Sequence, residues 1–170
     1  RYITREEDWK SNTVVSLSPE DIASVSVDFA NHPEVSFTIN HLEGGYAVSC
    51  NDARIKEKFT NQTKIIEYLK LYSNLAMEGY DNRATKAFND SLQTAAPFTT
   101  IKITEVNGNI TWLKVFFKIL PPGNERLDEQ GRETNIDQNR YYAISNHDPR
   151  VMMVQIGNFG RVMQRFDFFR

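Results

Sequence analysis

The sequence predicts an α+β domain, mainly antiparallel β-meander sheet with helices packed on one side. Three observations carry that prediction. Short alternating apolar runs are separated by compact turn sequences. From about Thr63 to Met77 the apolar period becomes helical, and from about Thr99 a second set of strand-like runs ends in another helical stretch. At 170 residues the chain suits a single domain over 1–170, with a first half of about 11–92 and a second of about 97–170. A chain of this size buries roughly 70% of its unfolded surface, so it needs no metal or disulfide staple.

The first ten residues are polar apart from Tyr2, Ile3 and Trp9 and read as a lead-in. Val14 to Leu17 is a short strand candidate. Ser18-Pro19-Glu20-Asp21 then fits a brief helix start, with Ser as cap and Pro in the first turn. Three alternating runs follow: Val25, Val27, Phe29; Val35, Phe37, Ile39; and Tyr46, Val48, Cys50. Ser24, Ser26, Asp28, Ser36, Thr38 and Asn40 alternate with the first two sets, which predicts a sheet with one wet face. Asn31-His32-Pro33-Glu34 and Glu43-Gly44-Gly45 are short turns, so the strands should run antiparallel.

Ile65, Ile66, Leu69, Tyr72, Leu75 and Ala76 form one helical stripe, with Thr60 or Asn61 as cap and Gly79 as stop. A weaker helix is expected from Asn82 to Leu92, capped by Asp81. In the second half, Thr99 to Glu105 and Ile110 to Ile119 flank Asn107-Gly108, a strong hairpin signal because both residues tolerate positive φ. The second of these strands is apolar on both faces and should be covered on both sides. Tyr141 to Ile144 and Val151 to Ile156 predict a further hairpin, and Asn158 to Phe166 a closing helix. The order suggests a strand-strand-strand-helix unit built twice. Pro121 to Arg140 is one long polar connection, a length that usually signals function or disorder.

Chemistry-bearing motifs are scarce. The net charge of −2 argues against a nucleic-acid partner. The single cysteine, Cys50, reads as a small hydrophobe within an alternating run. There is no P-loop, dinucleotide fingerprint, His-Glu-x-x-His motif or calcium loop, so no cofactor and no metal is expected. His32 and His147 lie in turns beside prolines and His41 ends a strand, with no ligand spacing among them. Carboxylate pairs such as Glu6-Glu7 and Asp128-Glu129 read as solvated charge, and Arg161 and Arg165 as a solvated helix face. No catalytic residue is expected. The candidate interaction residues are Asp137 and Arg140, placed to brace the end of the long connection, and the C-terminal pair Phe168 and Phe169. The latter either wrap onto the sheet or form an exposed docking patch.

Asp8-Trp9-Lys10, Pro19-Glu20-Asp21-Ile22, Pro33-Glu34-Val35-Ser36-Phe37-Thr38-Ile39, Tyr68-Leu69, Glu78-Gly79-Tyr80, Ala96-Pro97-Phe98 and Asp137 to Ala143 together resemble an uncharacterised Bacteroidetes-type envelope lipoprotein family that carries a domain of unknown function. The resemblance implies the C-terminal module of a longer protein that starts before Arg1. Its location would be the cell envelope, facing the periplasm or the outer surface, with membrane attachment only through an anchor absent from this chain. It further implies envelope protein partners and supplies no catalytic residue. The functional expectation is a non-catalytic envelope binding or scaffold module, the alternative being a small-molecule or glycan-binding domain that uses Trp112 or tyrosines on an aromatic sheet face.

Overall fold

The computed structural model describes residues 12–170; the lead-in Arg1 to Lys10 lies outside them. In chain order the strands are Thr13–Val15 (β1), Ile22–Phe29 (β2), Phe37–Leu42 (β3), Gly45–Cys50 (β4), Lys58–Phe59 (β5), Leu75–Ala76 (β6) and Gly79–Tyr80 (β7). The second half adds Thr99–Glu105 (β8), Ile110–Ile119 (β9), Arg126–Leu127 (β10), Glu133–Thr134 (β11), Ile136–Ser145 (β12) and Met152–Gln155 (β13). The α-helices are Gln62–Leu69 (α1), Lys86–Thr94 (α2) and Ile156–Phe159 (α3). The α+β class and the antiparallel sheet are as the alternation predicts.

Nine strands form one antiparallel sheet in the order β5-β4-β3-β2-β8-β9-β12-β13-β7. β2 and β8 pair at the centre, with Val25 opposite Ile103 and Val27 opposite Ile101. From β2 one meander runs outward through β3, β4 and β5, and from β8 another runs the opposite way through β9, β12 and β13, with β7 of the first half added at its far edge. β1 pairs with β6 in a separate two-stranded sheet.

One sheet face is packed. Val25, Val27, Phe37, Ile39, Ile101 and Val115 are fully buried there, because every second residue of a strand points the same way. Ile65, Tyr68 and Leu69 of α1 and Phe159 of α3 close over them in one cluster. Each such aliphatic or aromatic side chain contributes about 1.5–3 kcal/mol on burial. The polar ends inside are satisfied: the Tyr68 and Tyr72 hydroxyls lie 2.8 Å apart, and Tyr68 donates to the Val162 carbonyl at 2.6 Å. Burial drives the Tyr68 phenol well above its usual value.

The opposite face is only partly covered. Next to the first-half strands it carries a polar mesh in which Thr38 donates to Asn51 at 2.7 Å and Ser26 to Asp28 at 2.7 Å. Next to the second half, α2 lies across it. There Leu92, Phe116, Ile144 and Val151 form a separate, smaller cluster with Phe88, Trp112 and Tyr142 against it. The expectation of helices on one side thus holds for α1 and α3, while α2 packs on the other. The sequence signal is the apolar pair Trp112 and Phe116, which needs cover on that face.

Several boundaries differ from expectation for local reasons. The first helix stops at Leu69 and continues as a 3-10 turn, Lys70–Asn74, because Leu75 and Ala76 are recruited by β1. Asn61 is its cap, accepting from the Lys64 N–H at 3.2 Å, whereas Gly79 lies in β7 and stops nothing. The second helix starts later than Asn82: Thr85 caps it through the Phe88 N–H at 3.1 Å, and Asp81 is engaged elsewhere. The closing helix is one turn long. Val162 and Phe166 still reach the core from the turns that follow, so apolar spacing alone mimicked a longer helix, and Arg161 and Arg165 share no helical face. The long connection contains the β10–β11 hairpin and the first residues of β12.

The outer edge of β4 is sealed by a side chain. Gln62 accepts from the Tyr46 N–H at 2.8 Å and donates to the Tyr46 carbonyl at 2.7 Å, as a neighbouring strand would. Gly45 makes room for it. At φ 137° its backbone is left-handed, and a Cβ there would stand 2.4 Å from Gln62 Oε1.

Candidate functional site

Where β12 leaves β9, the ladder is broken. Ile136 pairs with Ile119 and Tyr141 with Phe117, so Lys118 alone faces the four residues from Asp137 to Arg140. The extra residues form a bulge, a device that bends the strand and re-aims side chains. Asp137 closes it: its Oδ1 accepts the N–H groups of Asn139 at 2.9 Å and Arg140 at 3.2 Å. Its Oδ2 accepts from Lys118 Nζ at 3.1 Å. The residue is 4% exposed. Burial pushes its carboxyl up, but the Asn139 N–H, Lys118 and the Arg140 N–H outweigh burial and hold it below the usual carboxylate range.

Arg140, released from the ladder by the bulge, reaches Glu78 beside β7. Its Nε and Nη2 donate to Glu78 Oε2 and Oε1 at 2.6 and 2.9 Å, a fork-to-fork geometry. The Arg140 hydrogen bonds keep the Glu78 carboxyl below its ordinary value. Next to this pair, Tyr142 donates to Asp81 Oδ2 at 3.0 Å, and Asp81 Oδ1 accepts the Arg83 N–H at 3.0 Å. Burial, aided by the hydrogen bond to Asp81 and that carboxylate's charge, pushes the Tyr142 phenol up to about 12.

These groups line a groove of about 670 Å³ between the sheet and the start of α2, walled by Lys118, Arg140, Tyr142, Asp81, Arg83 and Phe88. A second, apolar hollow of about 500 Å³ adjoins it, lined by Leu92, Pro97, Phe98, Phe116 and Phe117. Phe88, Ile119 and Tyr142 belong to both, so the two are continuous. Both sizes fall within the range of small-molecule sites.

The four residues singled out from the sequence separate in space. Asp137 and Arg140 both help build the groove, but they do not brace one another. Asp137 pairs with Lys118 and Arg140 with Glu78, and only the Arg140 backbone N–H meets the Asp137 carboxylate. Phe169 is 2% exposed and stacks edge-on against Phe37 and Tyr68, so it belongs to the packed core. Phe168 is 37% exposed beneath the Lys64 ammonium. Trp112 lies half-buried beside α2 with Lys114 over its ring. Sequence reasoning missed Lys118, Glu78, Asp81 and Tyr142 as a set, because partners 19 to 62 residues apart leave no local spacing. Among the described residues, no three His, Cys, Asp or Glu side chains converge as a metal cluster, and no helix is long and apolar enough to cross a membrane.

Comparison with known proteins finds no matching family model, no matching curated protein and no matching solved structure. The resemblance to envelope lipoproteins therefore rests on the sequence motifs alone.

Proposed function

We propose that this chain is a non-catalytic small-molecule-binding module, with the groove beside the β12 bulge as its binding surface. One observation carries the reading: the bulge interrupts an otherwise regular sheet, and there Arg140 and the Asp137-held Lys118 line a continuous polar and apolar groove. Lys118, Arg140, Glu78 and Asp81 are already held by partners, so that part of the site is organised before a ligand arrives, which lowers the ordering cost of binding. The sequence raised Trp112 or tyrosines on a sheet face as the alternative; of these, Tyr142 of β12 lines the groove, with Phe88 of α2 edge-on against it.

A scaffold role toward an envelope protein is the second reading. The β10–β11 hairpin favours it, presenting Leu127 at 66% exposure. Residence in the envelope through an anchor outside this chain is part of that proposal and derives from the resemblance.

The test is an amide chemical-shift titration of labelled protein with a mixed set of carboxylates, amines, sugars and nucleotides. The reading expects at least one class to move Phe88, Lys118, Arg140 and Tyr142 together. Shifts confined to the β10–β11 hairpin or absent altogether would count against it.

A further inference from the structure

We infer that the groove takes a single-chain amphiphile with a carboxylate head, the head beside Lys118, Arg83 and Arg140 and the chain in the apolar hollow. This rests on the binding reading above and specifies its ligand class.

Every acid at the polar end is already engaged. Both Glu78 oxygens accept from Arg140, Asp81 accepts from Tyr142 and the Arg83 N–H, and Asp137 accepts from Lys118 and two backbone N–H groups. Donors, by contrast, are left over. Arg140 uses only Nε and Nη2 on Glu78, Lys118 makes one hydrogen bond while its ammonium lies 5.9 Å from the Tyr142 ring centre, and the Arg83 guanidinium has no partner among the described residues. A guest there must bring acceptors. Three cations, Lys118, Arg83 and Arg140, line the groove against two acids, Asp81 and Glu78, so a single negative charge fits better than a multiply charged phosphate.

The adjoining hollow fixes the other end of the guest. Asn31 and the shared Tyr142 are its only residues with polar side chains, and phenylalanine rings make up much of its wall. Burial of a saturated chain there contributes about 0.8 kcal/mol per methylene. Ile119, 54% exposed, stands where the two regions join and so beside the expected position of the head.

Decanoate, decyltrimethylammonium and acetate are the probes, titrated into the labelled protein below micelle-forming concentrations. Decanoate is expected to shift Phe88, Lys118, Ile119 and Tyr142, and to bind at least about tenfold more tightly than either other probe. Because Ile119 is exposed, charges placed there leave the fold intact and test the sign directly. Ile119→Asp should weaken decanoate about tenfold and Ile119→Lys should tighten it. Equal or tighter binding of the ammonium probe, equal binding of acetate, or indifference to both substitutions would overturn the inference. If another compound class occupies the groove while decanoate does not, only the carboxylate assignment fails. If none does, the binding reading fails with it.

Discussion

The two faces of the central sheet are built on opposite principles. The packed face is closed by α1, α3 and the C-terminal phenylalanines into one continuous apolar cluster. The other face has a small cluster under α2, a polar mesh beside the first half, and a groove held in shape by ion pairs. Apolar burial is non-directional and stabilises the fold. Ion pairs contribute little net stability but fix geometry. The contrast assigns folding to one face and, on the reading proposed above, recognition to the other, and graded substitutions can break it or sharpen it.

The largest effect is expected on the packed face. Phe37→Ala, at a fully buried site touching Tyr68 and Phe169, should cost about 3–5 kcal/mol in a denaturant melt. A loss under about 1 kcal/mol would mean that this cluster is not the stabilising core. Next comes Asp137→Ala, which strands the Lys118 ammonium and two backbone N–H groups. It should cost about 3 kcal/mol, and the double variant Lys118→Met/Asp137→Ala should recover part of that loss in a mutant cycle. Full additivity would show that the pair is not coupled.

Gln62→Ala should cost about 1 kcal/mol by unsealing the β4 edge. Self-association beyond that of the parent chain, rising with concentration in sedimentation, would mark the edge as exposed, and unchanged sedimentation would show that Gln62 plays no such part.

The smallest effects are in pH. Tyr142 holds its proton more tightly when folded, so its contribution is complete below the free phenol value near ~10 and is lost as pH rises toward about 12. Ultraviolet titration should show a late phenol limb, shared with the buried Tyr68 and Tyr72, that Tyr142→Phe lowers by one phenol. Asp137 has the opposite sign. Its carboxyl is depressed in the fold, so its stabilisation is present above roughly pH 4 and declines as pH falls below that. Asp137→Asn should flatten that acid limb, and an unchanged limb would place the responsible carboxylates elsewhere.

Much of the fold was legible because strands announce themselves locally. Val25, Val27, Phe37 and Ile39 alternate with Ser24, Ser26, Thr38 and Asn40, and that pattern alone assigns the two faces. The helix ends were less legible. Leu75 and Ala76 fit a helical stripe equally well, and only tertiary pairing with β1 makes them a strand. Asp137 and Arg140 drew attention as charges at a loop end, and Asp137-Gln138-Asn139 is a readable side-chain-to-backbone turn signal. Their partners Lys118 and Glu78 could not be named, because which strands lie beside β12 is decided by the whole sheet.

If the groove is the binding surface proposed above, the β12 bulge serves the groove rather than the fold. Deleting residues 137–139 leaves Arg140 alone opposite Lys118 and restores a regular ladder between Ile136 and Tyr141. Titrating decanoate into that labelled variant is the most direct test. The account predicts native-like dispersion of core amides such as Val25 and Ile103, together with loss of the groove shifts. A variant that fails to fold, or that binds decanoate as the parent chain does, would contradict it.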